Sequence, residues 1–279
     1  MFRSLTLFYE SYTYYFKNYY RSRSFYIMLI ITILVSLLLT YFTFTYIPKL
    51  PSLFSNFKGF FNTPGFSQRL VGFLWSFVLL DLPVFASVFF GSPAISSEIE
   101  TRTAFYVFPL PIPRYILLLS KYFAAVSVTI AVIMVYLVVQ GIVFYMVFNG
   151  ILLLPFFLSM GLTILFIFSI VAVTFLVSTI FNKNTYAYIS VFLLYFLIFN
   201  AYSIISEVLY KVVPYYLLNN SASIIERVYL NISTGFGSFT VTPDGAGYSD
   251  ILTSLIIMLL YTIVSLAGAL LLFERKEVK

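Results

Sequence analysis

Residues 96–115 read SSEIETRTAFYVFPLPIPRY. The stretch carries Glu98, Glu100, Arg102 and Arg114, and prolines at the alternate positions 109, 111 and 113. Long apolar runs lie on both sides of it. If those runs cross a membrane, this is a charged, proline-broken interruption between two spans, and its side of the membrane sets the topology of the whole chain.

Composition supports the membrane reading. Of 279 residues, 61% are hydrophobic and 9% are charged, against about 25% charged in an ordinary soluble domain. A helix needs about 20 apolar residues to cross a ~30 Å hydrocarbon core. Six runs qualify, at roughly 25–46, 70–94, 116–148, 152–180, 186–209 and 251–273. The expected fold is all-α and polytopic, with no separate soluble domain. The chain has no cysteine and no histidine. Disulfides and thiolate metal sites are excluded, and the commonest acid–base catalyst near neutral pH is missing. An intramembrane hydrolase or zinc peptidase does not fit, and neither metal nor nucleic acid is expected as a partner.

Lysine and arginine set the orientation. With a cytoplasmic N-terminus, eleven of the sixteen basic residues fall inside and five outside. Both termini, and residues 96–115, are then expected on the cytoplasmic face of the cell membrane. No cleavable signal is expected, because the first 24 residues are too polar for one. Within residues 1–24, Leu5, Phe8, Tyr12, Tyr15 and Tyr19 recur at helical spacing, with Glu10, Lys17 and Arg21 on another face. That pattern predicts an amphipathic helix lying along the membrane surface. The outer segment 210–250 holds two N-x-S sequons, at Asn219 and Asn231, so N-glycosylation is an expectation there. Its first half is apolar enough for short re-entrant helices. Its second half, 231–250, alternates like a hairpin.

Within the opening stretch, Ser92 and Pro93 suit an N-cap and a first helical residue. The spacing predicts a helix over 93–107, with Glu98 and Arg102 paired at i and i+4. The three prolines then impose an extended elbow, and Arg114 opens the third span. Lys121, at the start of that long span, is expected to project into the cytoplasm or to snorkel. A short polar helix tied to a stiff elbow suits docking by a cytoplasmic partner; a plain reversal needs neither part.

Other polar residues stand out within the apolar runs. Asp81 lies mid-span, two residues before Pro83. A carboxylate there is costly and marks either a translocation path, a dimer interface or a hydrogen-bonded packing site. Glu207 is expected to pair with Lys211. Gln140 and Asn200 read as interhelical glue. The 33 Phe and 24 Tyr either line a path for an amphipathic cargo or face lipid.

In ISSEIETRTAFYVFPLPIPRYILLLSKYFAA, Glu98, Thr103, Pro111, Arg114 and Lys121 resemble the signature of type-2 ABC transporter permeases. Six spans, inside termini and outer re-entrant structure before the last span are similar too. Two positions depart from the family: Ile99 and Arg102 stand where it often has a basic residue and a glycine. The resemblance implies a coupling helix, with Glu98, Glu100, Arg102, Thr103, Phe105, Pro111 and Arg114 at the docking site for a separate nucleotide-binding subunit. It implies a dimer of permeases, homo- or heteromeric, exporting a lipid, lipid-linked glycan, peptide or toxin. ATP and magnesium would belong to the partner, because this chain has no phosphate-loop motif. Two alternatives remain at this stage: an ion-coupled secondary transporter and a non-transporting scaffold.

Overall fold

The computed structural model describes residues 2–49, 66–107, 111–150, 153–211, 213–229 and 246–276. No strand occurs among them. Helix α1 (Phe2–Tyr20) precedes the first span, α2 (Arg23–Tyr46). The second span joins α3 (Phe66–Gly91) to α4 (Pro93–Glu100), and α5 (Ala104–Val107) follows after a break. The third and fourth spans are α6 (Arg114–Phe148) and α7 (Leu153–Ile180). The fifth runs through α8 (Asn184–Phe192), a π-helical stretch (Leu193–Phe199) and α9 (Asn200–Tyr210). Two short helices, α10 (Leu218–Ala222) and α11 (Ile224–Arg227), lead to the sixth span, α12 (Tyr248–Arg275). Among the described residues, six helical spans are long and apolar enough to cross a membrane.

Span four is central. Two thirds of its most apolar window is buried, against about a fifth for spans one, five and six. Those three carry most of the exposed leucine and isoleucine, as suits surfaces turned to lipid or to another subunit. Small residues set the closest approaches. A Cβ on Gly91 would stand 1.9 Å from Thr174 Oγ1 of span four, and one on Gly72 would stand 2.3 Å from the Tyr229 ring. Thr32, Ser36, Thr40 and Thr43 of span one donate to carbonyls four residues back. They satisfy themselves, so they need no ligand. Thr43 also accepts from Trp75 Nε1 at 3.0 Å, which ties span one to span two.

Helix α1 is docked on protein. Its Phe8 ring meets Phe123, Tyr12 donates to Ser127 Oγ at 2.9 Å, and Tyr15 is buried. Glu10, Lys17 and Arg21 are exposed. At the other end of the spans, α10 and α11 tuck Leu218, Ile224, Ile225 and Tyr229 into the bundle. Of the hairpin expected over 231–250, residues 231–245 lie outside the described residues, and Tyr248–Asp250 form the first turn of the last span. The end of the bundle that carries residues 96–115 is called the elbow end below, and the opposite one the far end.

Candidate functional site

At the elbow end, span two does not stop where its sequence suggests. Ser92 is helical, with φ −60° and ψ −39°, and makes no side-chain cap. Its amide bonds Val88 O at 3.2 Å, so α3 runs on into α4. Pro93 lacks a donor, and the helix around it leaves orphan amides. Ser178 of span four takes over the cap: its hydroxyl accepts from both Ile95 N and Ser96 N at 3.1 Å.

The expected helix over 93–107 is broken at residues 101–103. Thr101 N and Arg102 N close the end of α4 on Ser97 O and Ile99 O. Arg102 then takes a left-handed backbone, with φ 61°. This is the terminating position that glycine fills at no steric cost, and it coincides with the departure from the family noted above. A side chain in that region costs about 1–2 kcal/mol. Arg102→Gly is therefore expected to protect residues 97–107 more strongly in hydrogen exchange, with a net gain of about 0.5–1 kcal/mol after the extra freedom of glycine in the unfolded chain.

Glu98 does not pair with Arg102. It turns inward to an ion pair with Lys121 of span three. Lys121 does not snorkel: its side chain is 1% exposed, it donates to Ala94 O at 3.0 Å, and it lies 5.0 Å over the Tyr15 ring. Lysine can be buried here because a carboxylate, a carbonyl and an aromatic face replace its hydration. Glu100 reaches sideways and accepts from Asn184 N, the first amide of span five, at 2.8 Å. A carboxylate suits that helix N-terminus. Arg114 is also occupied. Its Nη1 donates to Glu274 O at 2.7 Å and to Phe273 O and Lys276 O at 3.3 Å, covering the open carbonyls at the end of span six. Lys276 donates in turn to Thr179 O of span four.

The predicted docking residues thus separate into two sets. Glu98, Glu100 and Arg114 face other spans and bolt the elbow to spans three, five and six. Arg102, Thr103, Phe105 and Pro111 are exposed, as is Tyr106, which is 82% exposed and was not singled out by the sequence. Phe105 and Tyr106 are large exposed aromatics beside a free-standing cationic side chain. Behind them a cleft of about 440 Å³ separates α1 from α4, lined by Tyr14, Tyr15, Tyr19, Ser97, Glu98 and Tyr188.

The remaining candidates lie elsewhere. Asp81 is partly buried in span two, next to Leu80, whose carbonyl accepts from Tyr195 of the π-helical stretch at 3.4 Å. Glu207 accepts from Ser203 at 3.1 Å and does not pair with Lys211, whose left-handed backbone ends α9. Asn219 donates its Nδ2 to Asn200 Oδ1 at 3.0 Å and is half-buried, so the nitrogen that would carry a glycan is engaged. Asn231 lies outside the described residues.

At the far end, burial pushes the Glu226 carboxyl up from 4.5 to about 7; the Arg227 charge opposes this and Asp81 adds to it. Arg227 itself pairs with Asp250 at 3.8 Å. The raised value means that the folded state holds the proton more tightly than the unfolded chain. This contribution is complete below pH 4.5 and is lost as pH rises through about 7. Exchange protection of residues 213–229 is therefore expected to fall between pH 5 and 8, and Glu226→Gln is expected to flatten that dependence.

Compared with known families, residues 15–278 match the family model described as an ABC-2 family transporter protein. No curated protein matches the chain.

Proposed function

The chain belongs to the ABC-2 family of transporter proteins, and from that premise we propose that it is the permease subunit of an ATP-driven exporter whose ATPase docks on the exposed face of the elbow. Membership makes it a multi-pass transporter permease without an ATPase site of its own. The observation that carries the docking assignment is the division of residues 98–114 into an inward, bolted set and an outward set. Arg102, Thr103, Phe105 and Tyr106 offer a cation and two aromatic faces, the residue types enriched at the centres of protein interfaces. Glu98, Glu100, Ser178 and Arg114 connect that face to spans three to six. A push on the elbow is therefore delivered to most of the bundle at once.

In this reading both termini are cytoplasmic, and two permeases, identical or not, work with two ATPase subunits that carry the ATP and magnesium. The exposed apolar faces of spans one, five and six suit a second permease and lipid. The cargo is hydrophobic or amphipathic: a lipid, lipid-linked glycan, peptide or toxin. Asp81 belongs to the path or the dimer interface.

The experiment purifies the tagged permease in lipid nanodiscs and measures ATP hydrolysis by the material it retains. Wild-type permease should retain an ATPase chain, and Phe105→Glu with Tyr106→Glu should lose it at unchanged melting temperature. Retention of the same ATPase activity by the double variant would refute the docking face.

A further inference from the structure

The far end holds a buried polar group that the docking account does not use. Gln140 of span three is fully buried, and neither of its amide atoms has a hydrogen-bond partner among the described residues. Tyr229, just after α11 in the outer segment, is 1% exposed, with its hydroxyl buried. That hydroxyl lies within hydrogen-bonding reach of Ser76 of span two, Ser159 of span four and Gln140. The two serines are buried and lie 3.4 Å apart, Oγ to Oγ. Among the described residues no ionised side chain takes part. The Tyr229 ring packs into the notch left by Gly72, where even a methyl group would overlap it.

We propose that Tyr229 is the gate residue of the far end, its ring seated in the Gly72 notch and its hydroxyl held in a neutral socket made by Ser76, Gln140 and Ser159. This rests on the transporter reading above and says which contact must break for the far end to open. A buried amide and phenol inside a membrane protein are expensive unless polar groups meet them, and this socket supplies those groups. Such a contact suits repeated opening. It is broken without separating charges, and the socket hydrates when the phenol leaves, so neither state strands a polar group. The segment that carries Tyr229 is short: α10 and α11, of five and four residues, are seated by Leu218, Ile224 and Ile225 and joined to the start of span six by the Arg227–Asp250 pair and an Ala246 N to Arg227 O bond of 3.4 Å.

The chain lacks cysteine, so Ser76→Cys is a clean reporter of socket exposure. The experiment measures its labelling by a membrane-impermeant thiol reagent in proteoliposomes, using monodisperse protein. Labelling of the parent should be slow. Tyr229→Ala should raise the rate by about tenfold or more, and Tyr229→Phe, which keeps the ring in its notch and loses only the hydrogen bonds, by several-fold. Gly72→Ala, which expels the ring, should resemble Tyr229→Ala. These arms need no ATPase, so they stand or fall separately from the docking assignment. With the ATPase present, turnover should accelerate labelling of the parent. Equal labelling of the parent, Tyr229→Ala and Gly72→Ala would overturn the proposal. So would a socket that stays protected during active transport.

Discussion

Glu98→Gln is expected to cost about 3–5 kcal/mol, because it leaves Lys121 charged, buried and without its counter-ion. The two sides of the pair are not equivalent. Lys121 is 1% exposed and Glu98 15%, so removing the carboxylate strands the deeper charge. Lys121→Met should therefore be the milder single change, since the Glu98 carboxylate can recruit water. The double variant should recover much of the loss, as buried pairs replaced by apolar groups often do. Thermal or denaturant unfolding in nanodiscs gives all three values and the coupling energy. A Glu98→Gln variant within about 0.5 kcal/mol of wild type, the range of a neutral surface change, would mean that the pair does not hold the elbow.

Gly91→Ala is the second large effect. The added methyl would stand 1.9 Å from Thr174 Oγ1 and 2.9 Å from Thr174 Cβ. Rotating the threonine relieves only the first contact and breaks its bond to Val171 O. Spans two and four must then move apart, at about 1–3 kcal/mol. Thr174 and Ser178 lie one helical turn apart on span four, so the same displacement draws Ile95 N and Ser96 N off the Ser178 hydroxyl. Stability and elbow order should therefore fall together. Exchange protection at residues 94–100 should drop beyond the global change, and Thr174→Gly should restore part of both. A loss of stability with residues 94–100 still protected would show that the elbow does not depend on this crossing.

Much of the fold was legible because the bilayer imposes a simple rule: about 20 apolar residues make a span. The position of the elbow was legible for a similar reason, since only prolines and charges interrupt such runs. The pairings were less so. Glu98 has Arg102 four residues away and Lys121 twenty-three away; helix spacing favours the first, and only the packing of α4 on span three selects the second. The Ser178 cap has no local signature, since donor and acceptor come from different spans. Arg102 hid a break, because arginine carries no mark of a left-handed backbone where glycine would. The π-helical Leu193–Phe199 has no proline or glycine to announce it. Gly72 and Gly91 were visible as glycines, but their purpose depends on what stands opposite.

The central claim is that the outward face of the elbow receives the ATPase. Tyr106 is the most exposed aromatic of that face, and Tyr216, at the far end, is 57% exposed. In this cysteine-free chain, Tyr106→Cys carrying a short photo-crosslinker should join the co-purified ATPase subunit, and Tyr216→Cys should not. If the ATPase stays bound to the permease while the Tyr106 probe captures only lipid or solvent, the account is wrong.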